Sequence, residues 1–235
     1  MAEEAKVSPG SQAALKGAKE EDSDASRESL WNIPNQLTIA RLILSVVFFV
    51  ILALETHGAF GAGQIKPALN ISAFVFVLAV VTDFLDGYLA RKWKLTSTFG
   101  RIADPFADKI VVCGGFVMLT GVAGELVEPW FAVVIIFREF LVSGLRSFLE
   151  SRGVPFGASM SGKLKMLAQS ITIPLVLLYE ANLAVVHPDG ASGLATSFYW
   201  LTVGCLALTL VFTVASSVGY IQRAIQLIRG ESSPR

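Results

Sequence analysis

At 235 residues, 53% hydrophobic and 16% charged, with a mean hydropathy of +0.60, the chain carries much less charge than the about 25% usual in soluble domains. The net charge is zero, so the total points to no partner, nucleic acid included. The two cysteines, Cys113 and Cys205, lie far apart inside apolar runs, which excludes a disulfide framework and zinc-ligand spacing.

In chain order, residues 1–30 are polar and mixed in charge and read as a disordered cytoplasmic tail, with no secretory signal pattern. Apolar runs near the ~20-residue spanning length then follow. They predict six membrane spans, at about 37–54, 70–91, 104–124, 130–150, 163–184 and 197–229. Trp31 lies just outside the first span as an interfacial anchor. Residues 230–235 form a short C-terminal tail. The expected fold is therefore all-α, a six-transmembrane-helix bundle over 31–229. His57 and His187 fall in loops and read as surface residues.

Orientation follows from the basic residues. The 19 Lys and Arg concentrate in the N-terminus, the 2–3 loop, the 4–5 loop, the C-terminus and the adjoining span halves, with Lys66 outside that set. The opposite loops carry Glu55, Glu125, Glu128, Glu180 and Asp189. Both termini are expected in the cytoplasm.

The first span opens with Asn35, Thr38 and Arg41, at a helix start whose dipole favours an anion. The second and third carry four acids in otherwise lipid-grade sequence: Asp83, Asp86, Asp104 and Asp108. A carboxylate near hydrocarbon costs roughly 2.5–3.5 kcal/mol on insertion scales, so four together call for a compensating partner. Asp83, Gly87 and Ala90 share one helical stripe with Asp86 and Arg91 beside it, and Asp104 and Asp108 share another. The short connection makes spans 2 and 3 neighbours. Oxygen-only ligands favour hard cations, Mg²⁺, Mn²⁺ or Ca²⁺, over zinc. Gly87, Ala90 and Gly100 leave room for a ligand, and Arg91 offers a fork suited to phosphate.

Further along, Glu139, Ser143 and Arg146 form a stripe in the fourth span with Arg138 adjacent, and Gly162-Lys163-Leu164-Lys165-Met166 opens the fifth. An arginine so deep in a span is costly if it faces lipid. Arg138, Arg146, Lys163 and Lys165 therefore put several cations beside the acids, and an acceptor carrying its own phosphate accounts for that excess.

The pattern D-x2-D-G-x2-A-R-x8-G-x3-D-x3-D, complete from Asp83 to Asp108, resembles the signature of the CDP-alcohol phosphatidyltransferases. The N-x2-T-x2-R element at Asn35, Thr38 and Arg41 is similar to one that lines the nucleotide site in that family. The resemblance implies transfer of a phosphatidyl group from a CDP-linked donor to an alcohol, with release of CMP. It implies two divalent ions, Mg²⁺ or Mn²⁺, on Asp83, Asp86, Asp104 and Asp108, with Asp108 also the base for the acceptor hydroxyl. Asn35, Thr38, Arg41, Gly87, Ala90, Arg91 and Gly100 would line the CDP site.

The R-E-F…S-x2-R and G-K-x-K elements resemble those of the phosphatidylglycerophosphate synthase branch, with Met166 where that branch usually carries Thr. This implies CDP-diacylglycerol as donor and glycerol 3-phosphate as acceptor, held by Arg138, Ser143, Arg146, Lys163 and Lys165. By the same resemblance the active site would face the cytoplasm in a homodimer of the inner (cytoplasmic) membrane, surrounded by membrane lipid. The rival readings are a sibling using inositol phosphate or serine, an intramembrane prenyltransferase, and a divalent-cation transporter.

Overall fold

The computed structural model describes residues 33–93, 98–152, 160–184 and 193–228, with side chains described at 36–85, 106–152, 160–184, 193–222 and 224–226. The expected tails at 1–30 and 230–235 lie outside these residues. Every described element is helical. Six long helices follow one another: α1 (Ile33–Thr56), α2 (Ala62–Trp93), α3 (Thr98–Val122), α4 (Pro129–Ser151), α5 (Met160–Tyr179) and α6 (Gly193–Ile228). A π-helical turn, Glu180–Ala184, extends α5.

The helices begin earlier than hydropathy alone suggests. α2 starts at Ala62 and takes Pro67 inside its second turn, at the cost of one intrahelical N–H bond. α3 starts at Thr98, ahead of its acidic residues. Pro129 occupies the first turn of α4, the helix position that suits its fixed φ and missing N–H.

Among the described residues, four segments are long and apolar enough to cross a membrane: Gln36–Thr56, Ala62–Leu85, Met160–Ala184 and Gly193–Gln226. α4 exceeds the charge such a segment tolerates, with Arg138, Glu139, Arg146 and Glu150, and the described side chains of α3, which include Asp108 and Lys109, begin only at Phe106. Arg138 and Glu139 are buried against other helices. Apolar side chains such as Ile43, Val46, Phe74, Val133 and Val211 point outward instead. In water that would be an inside-out arrangement; it is the normal one where the solvent is lipid.

α1 packs along both α2 and α3, α5 along α6 and α2, and α4 bridges α3 and α6. Among the described residues α2 and α3 meet only sparsely and α1 packs on both; the ends where the two acid faces were expected to come together lie outside the described side chains. The core runs through all six helices, with Phe48, Phe76, Phe116, Ile135, Ile173 and Leu206 among its members. Two adjacent glycines set the helix spacing on α3. A Cβ on Gly115 would lie 2.9 Å from Ile173 Cδ1 of α5, and one on Gly114 would collide with the Phe49 ring of α1.

Polar contacts tie the helices where water is absent. Thr172 and Thr209 hydroxyls lie 2.8 Å apart between α5 and α6. Asn182 in the π turn donates to Asn70 Oδ1 of α2 at 3.0 Å.

Candidate active site

The up-and-down order of the helices gathers the charged residues at one end of the bundle. Thr38 and Arg41 lie early in α1, Asp108 early in α3 and Lys165 early in α5. Asp83 lies late in α2, and Arg138, Arg146 and Tyr220 lie in the middle or later parts of α4 and α6.

On α1, Thr38 and Arg41 are each only 1% exposed. The Arg41 guanidinium forms an ion pair with Asp83 Oδ1 of α2 at 2.5 Å. One turn later, Ser45 Oγ donates to the Arg41 carbonyl at 2.6 Å. The arginine expected at the nucleotide is therefore engaged with the first aspartate of the signature. Such a pair offsets the cost of burying either charge alone.

On α3, Asp108 borders a cavity of about 360 Å³. The same cavity is lined by Lys109, Arg138, Glu139, Ser143, Arg146, Lys163, Lys165, Met166 and Tyr220, among others. All five residues expected to hold a phosphorylated acceptor are therefore brought together, from two separate sequence segments, with Asp108 at their edge. Asp83, Lys165, Glu139 and Arg41 all act electrostatically on Asp108, so the two described acids of the signature and the cationic cavity form one charge system.

Glu139 is the anionic centre of the cavity wall. Its Oε1 accepts from Arg138 Nη1 at 3.1 Å and also from Lys165 Nζ of α5. Arg138 Nη2 donates to Ser216 Oγ of α6 at 2.9 Å. Arg146 Nη2 reaches the Tyr220 hydroxyl at 3.5 Å. The Nε atoms of Arg138 and Arg146 are buried with no hydrogen-bond partner among the described residues. Five cations against two carboxylates line the cavity, and this unused donor capacity suits an anion of two charges.

Asp86, Gly87, Ala90, Arg91, Gly100 and Asp104 lie within α2 and α3, but their side chains fall outside the described residues, as does that of Asn35. Among the described residues, no group of three or more metal-ligating side chains occurs, since two of the four acids are outside that set. Asp83 and Asp108, carboxylates from different helices, are donors of the kind a hard divalent cation takes.

Sequence reasoning did not assign Lys109, Glu139, Ser216 or Tyr220 to the site. Glu139 shares the stripe of Ser143 and Arg146, which was a usable signal. Ser216 and Tyr220 gave none, because a serine and an interfacial tyrosine are ordinary in a membrane helix.

Comparison with known proteins adds an independent line. A model of the CDP-alcohol phosphatidyltransferase family matches residues 31–215. The chain is 39% identical over 160 residues to the CDP-diacylglycerol–glycerol-3-phosphate 3-phosphatidyltransferase of Bacillus subtilis, covering 67% of this chain and 82% of the relative. A protein of the same name in Rickettsia typhi is 35% identical over 158 residues, covering 67% and 83%. Another in Cereibacter sphaeroides is 31% identical over 229 residues, covering 86% and 99%.

Proposed function

Because the chain belongs to the CDP-alcohol phosphatidyltransferase family, we propose that it transfers the phosphatidyl group of CDP-diacylglycerol to glycerol 3-phosphate, giving phosphatidylglycerophosphate and CMP. The observation that carries this reading is the cavity in which Asp108 meets Arg138, Arg146, Lys163 and Lys165. A carboxylate beside several cations is what a hydroxyl nucleophile with its own phosphate requires.

The donor's acyl tails stay in lipid while its pyrophosphate lies at the aspartates. Thr38 and Arg41 on α1, with Asn35, Gly87, Ala90, Arg91 and Gly100, form the CDP site. Arg138, Ser143, Arg146, Lys163 and Lys165 hold the phosphate of glycerol 3-phosphate and direct its free primary hydroxyl toward Asp108. Asp108 takes the hydroxyl proton as the oxygen attacks the phosphorus that carries diacylglycerol. The bond from that phosphorus to the bridging oxygen breaks, and CMP leaves with the electron pair.

Asp83, Asp86, Asp104 and Asp108 would hold two divalent cations, Mg²⁺ or Mn²⁺, which when bound neutralise charge on the phosphoryl groups. The pairing of Asp83 with Arg41 supports this role. The ion pair fixes the Asp83 carboxylate where α1 and α2 meet, and carboxylate oxygens are what a hard cation takes.

The six helices are read as six spans of an inner-membrane protein with both termini in the cytoplasm, acting as a homodimer. α3 and α4 cross the bilayer with their charges turned inward, which agrees with the burial of Arg138 and Glu139.

The test is CMP release from CDP-diacylglycerol by the purified protein in lipid nanodiscs, with glycerol 3-phosphate, inositol phosphate or serine as acceptor. Release with glycerol 3-phosphate, abolished by EDTA and restored by Mg²⁺ or Mn²⁺, is the expected result. Release with another alcohol and none with glycerol 3-phosphate overturns the choice of acceptor.

A further inference from the structure

We infer that Tyr220, with Ser216 one turn before it, is a positioning residue for the acceptor phosphate, so that the last helix tunes acceptor affinity without contributing to the aspartate signature. The inference rests on the acceptor reading above.

Tyr220 is only 5% exposed and lies on α6, 74 residues along the chain from Arg146. Its ring is fixed by a small apolar cluster with Val142, Leu149 and Ala224, apart from the main core. The fixed ring meets both arginines of the cavity. The Arg138 guanidinium carbon lies 5.8 Å from the ring centroid, within cation–π range. Arg146 Nη2 donates to the ring's hydroxyl at 3.5 Å, a long hydrogen bond.

Ser216 adds the third hold. It is fully buried, its Oγ accepts from Arg138 Nη2 at 2.9 Å, and the same hydroxyl donates to the Thr213 carbonyl at 3.0 Å. An arginine carries about 2 kcal/mol of rotamer entropy. Holding it before the anion arrives moves that ordering cost from binding to folding. Without these partners, Arg146 must be ordered by the phosphate itself, and Arg138 keeps only its bond to Glu139. The consequence is weaker acceptor binding with the donor site untouched.

The test measures KM for each substrate in Tyr220→Phe and Ser216→Ala, both small changes that keep the packing. Tyr220→Phe is expected to raise KM for glycerol 3-phosphate about fivefold, the effect of one hydrogen bond to a charged group at long range. KM for CDP-diacylglycerol stays at the wild-type value, and the loss falls on KM rather than kcat. Ser216→Ala gives the same split through Arg138. In an Arg146→Ala background, Tyr220→Phe adds nothing further, because its hydroxyl acts through that arginine.

Equal rises in both KM values, no rise in either variant, or multiplicative effects in the Arg146→Ala background overturn the inference while leaving the acceptor reading intact. A wild-type protein that releases no CMP with glycerol 3-phosphate overturns the reading, and the assignment of Tyr220 with it.

Discussion

The Arg138–Glu139–Lys165 group shows how one carboxylate can organise a cationic cavity. Two cations share Glu139 Oε1, which fixes both near the cavity and limits their repulsion. Asp108 has a different setting: among the described residues it borders the cavity and closes no ion pair, the position a proton acceptor needs. Replacing it with asparagine keeps the shape and removes the base. Asp108→Asn is expected to lower turnover about a hundredfold or more while CDP-diacylglycerol binding persists; single-turnover kinetics and a lipid-binding assay check both. A rate near wild type would return Asp108 to a purely structural part. The cations were legible in the sequence because a charge in lipid-grade sequence has to turn inward. Arg41 was legible as a site residue, but its pairing with Asp83 depends on α1 packing along α2, which no local pattern encodes.

Between helices, the limiting dimension is set by α3. Gly114 and Gly115 let α1 and α5 approach where any larger residue would meet Phe49 or Ile173. Gly115→Val is expected to force those helices apart and lower the melting temperature in detergent by several degrees, on the scale of about 1–3 kcal/mol for an overpacked core. Scanning fluorimetry checks it, and an unchanged midpoint would mean that Ile173 simply swings away. Helix existence was readable from apolar length, yet α4, with Arg138, Glu139, Arg146 and Glu150, has too many charges for the same criterion. It is read from what it carries, since the site occupies the very stretch that spoils its hydropathy. The packing of α1 along both α2 and α3 was not readable, because a short connection restricts where the next helix starts and not which partner it packs on.

For the whole molecule, charge and aromatic residues separate along the bundle axis. The cavity and its cations occupy one end. At the other, Trp130 donates to Glu128 at 2.9 Å, and the Tyr179, Tyr199 and Trp200 rings meet at 5.9 and 5.4 Å, the composition of an interfacial belt. The distribution of Lys and Arg predicts a cytoplasmic C-terminus. A green fluorescent protein fused there is expected to fluoresce, whereas alkaline phosphatase at the same point stays inactive. The opposite pair of results would invert the topology. At 36 residues, α6 is about 54 Å long, well beyond the ~20 residues a bilayer needs. Its excess length was readable, but its use was not: the segment expected to project into the interface carries Tyr220 back against Arg138 and Arg146.

The bond between Glu139 and Lys165 also bears on how the protein is made. Arg138 alone adds roughly 2.5–3.5 kcal/mol to the transfer of a helix from the translocon into lipid. α4 carries Glu139 and Arg146 besides; Arg138 pairs with Glu139 within the helix, and a second cation, Lys165, reaches the same oxygen from α5, which the ribosome synthesises later. α4 is therefore poorly suited to leave the translocon by itself and is best released together with α5, as a pair. Under the six-span reading, assembly of the cavity and integration into the bilayer then become a single event in biogenesis.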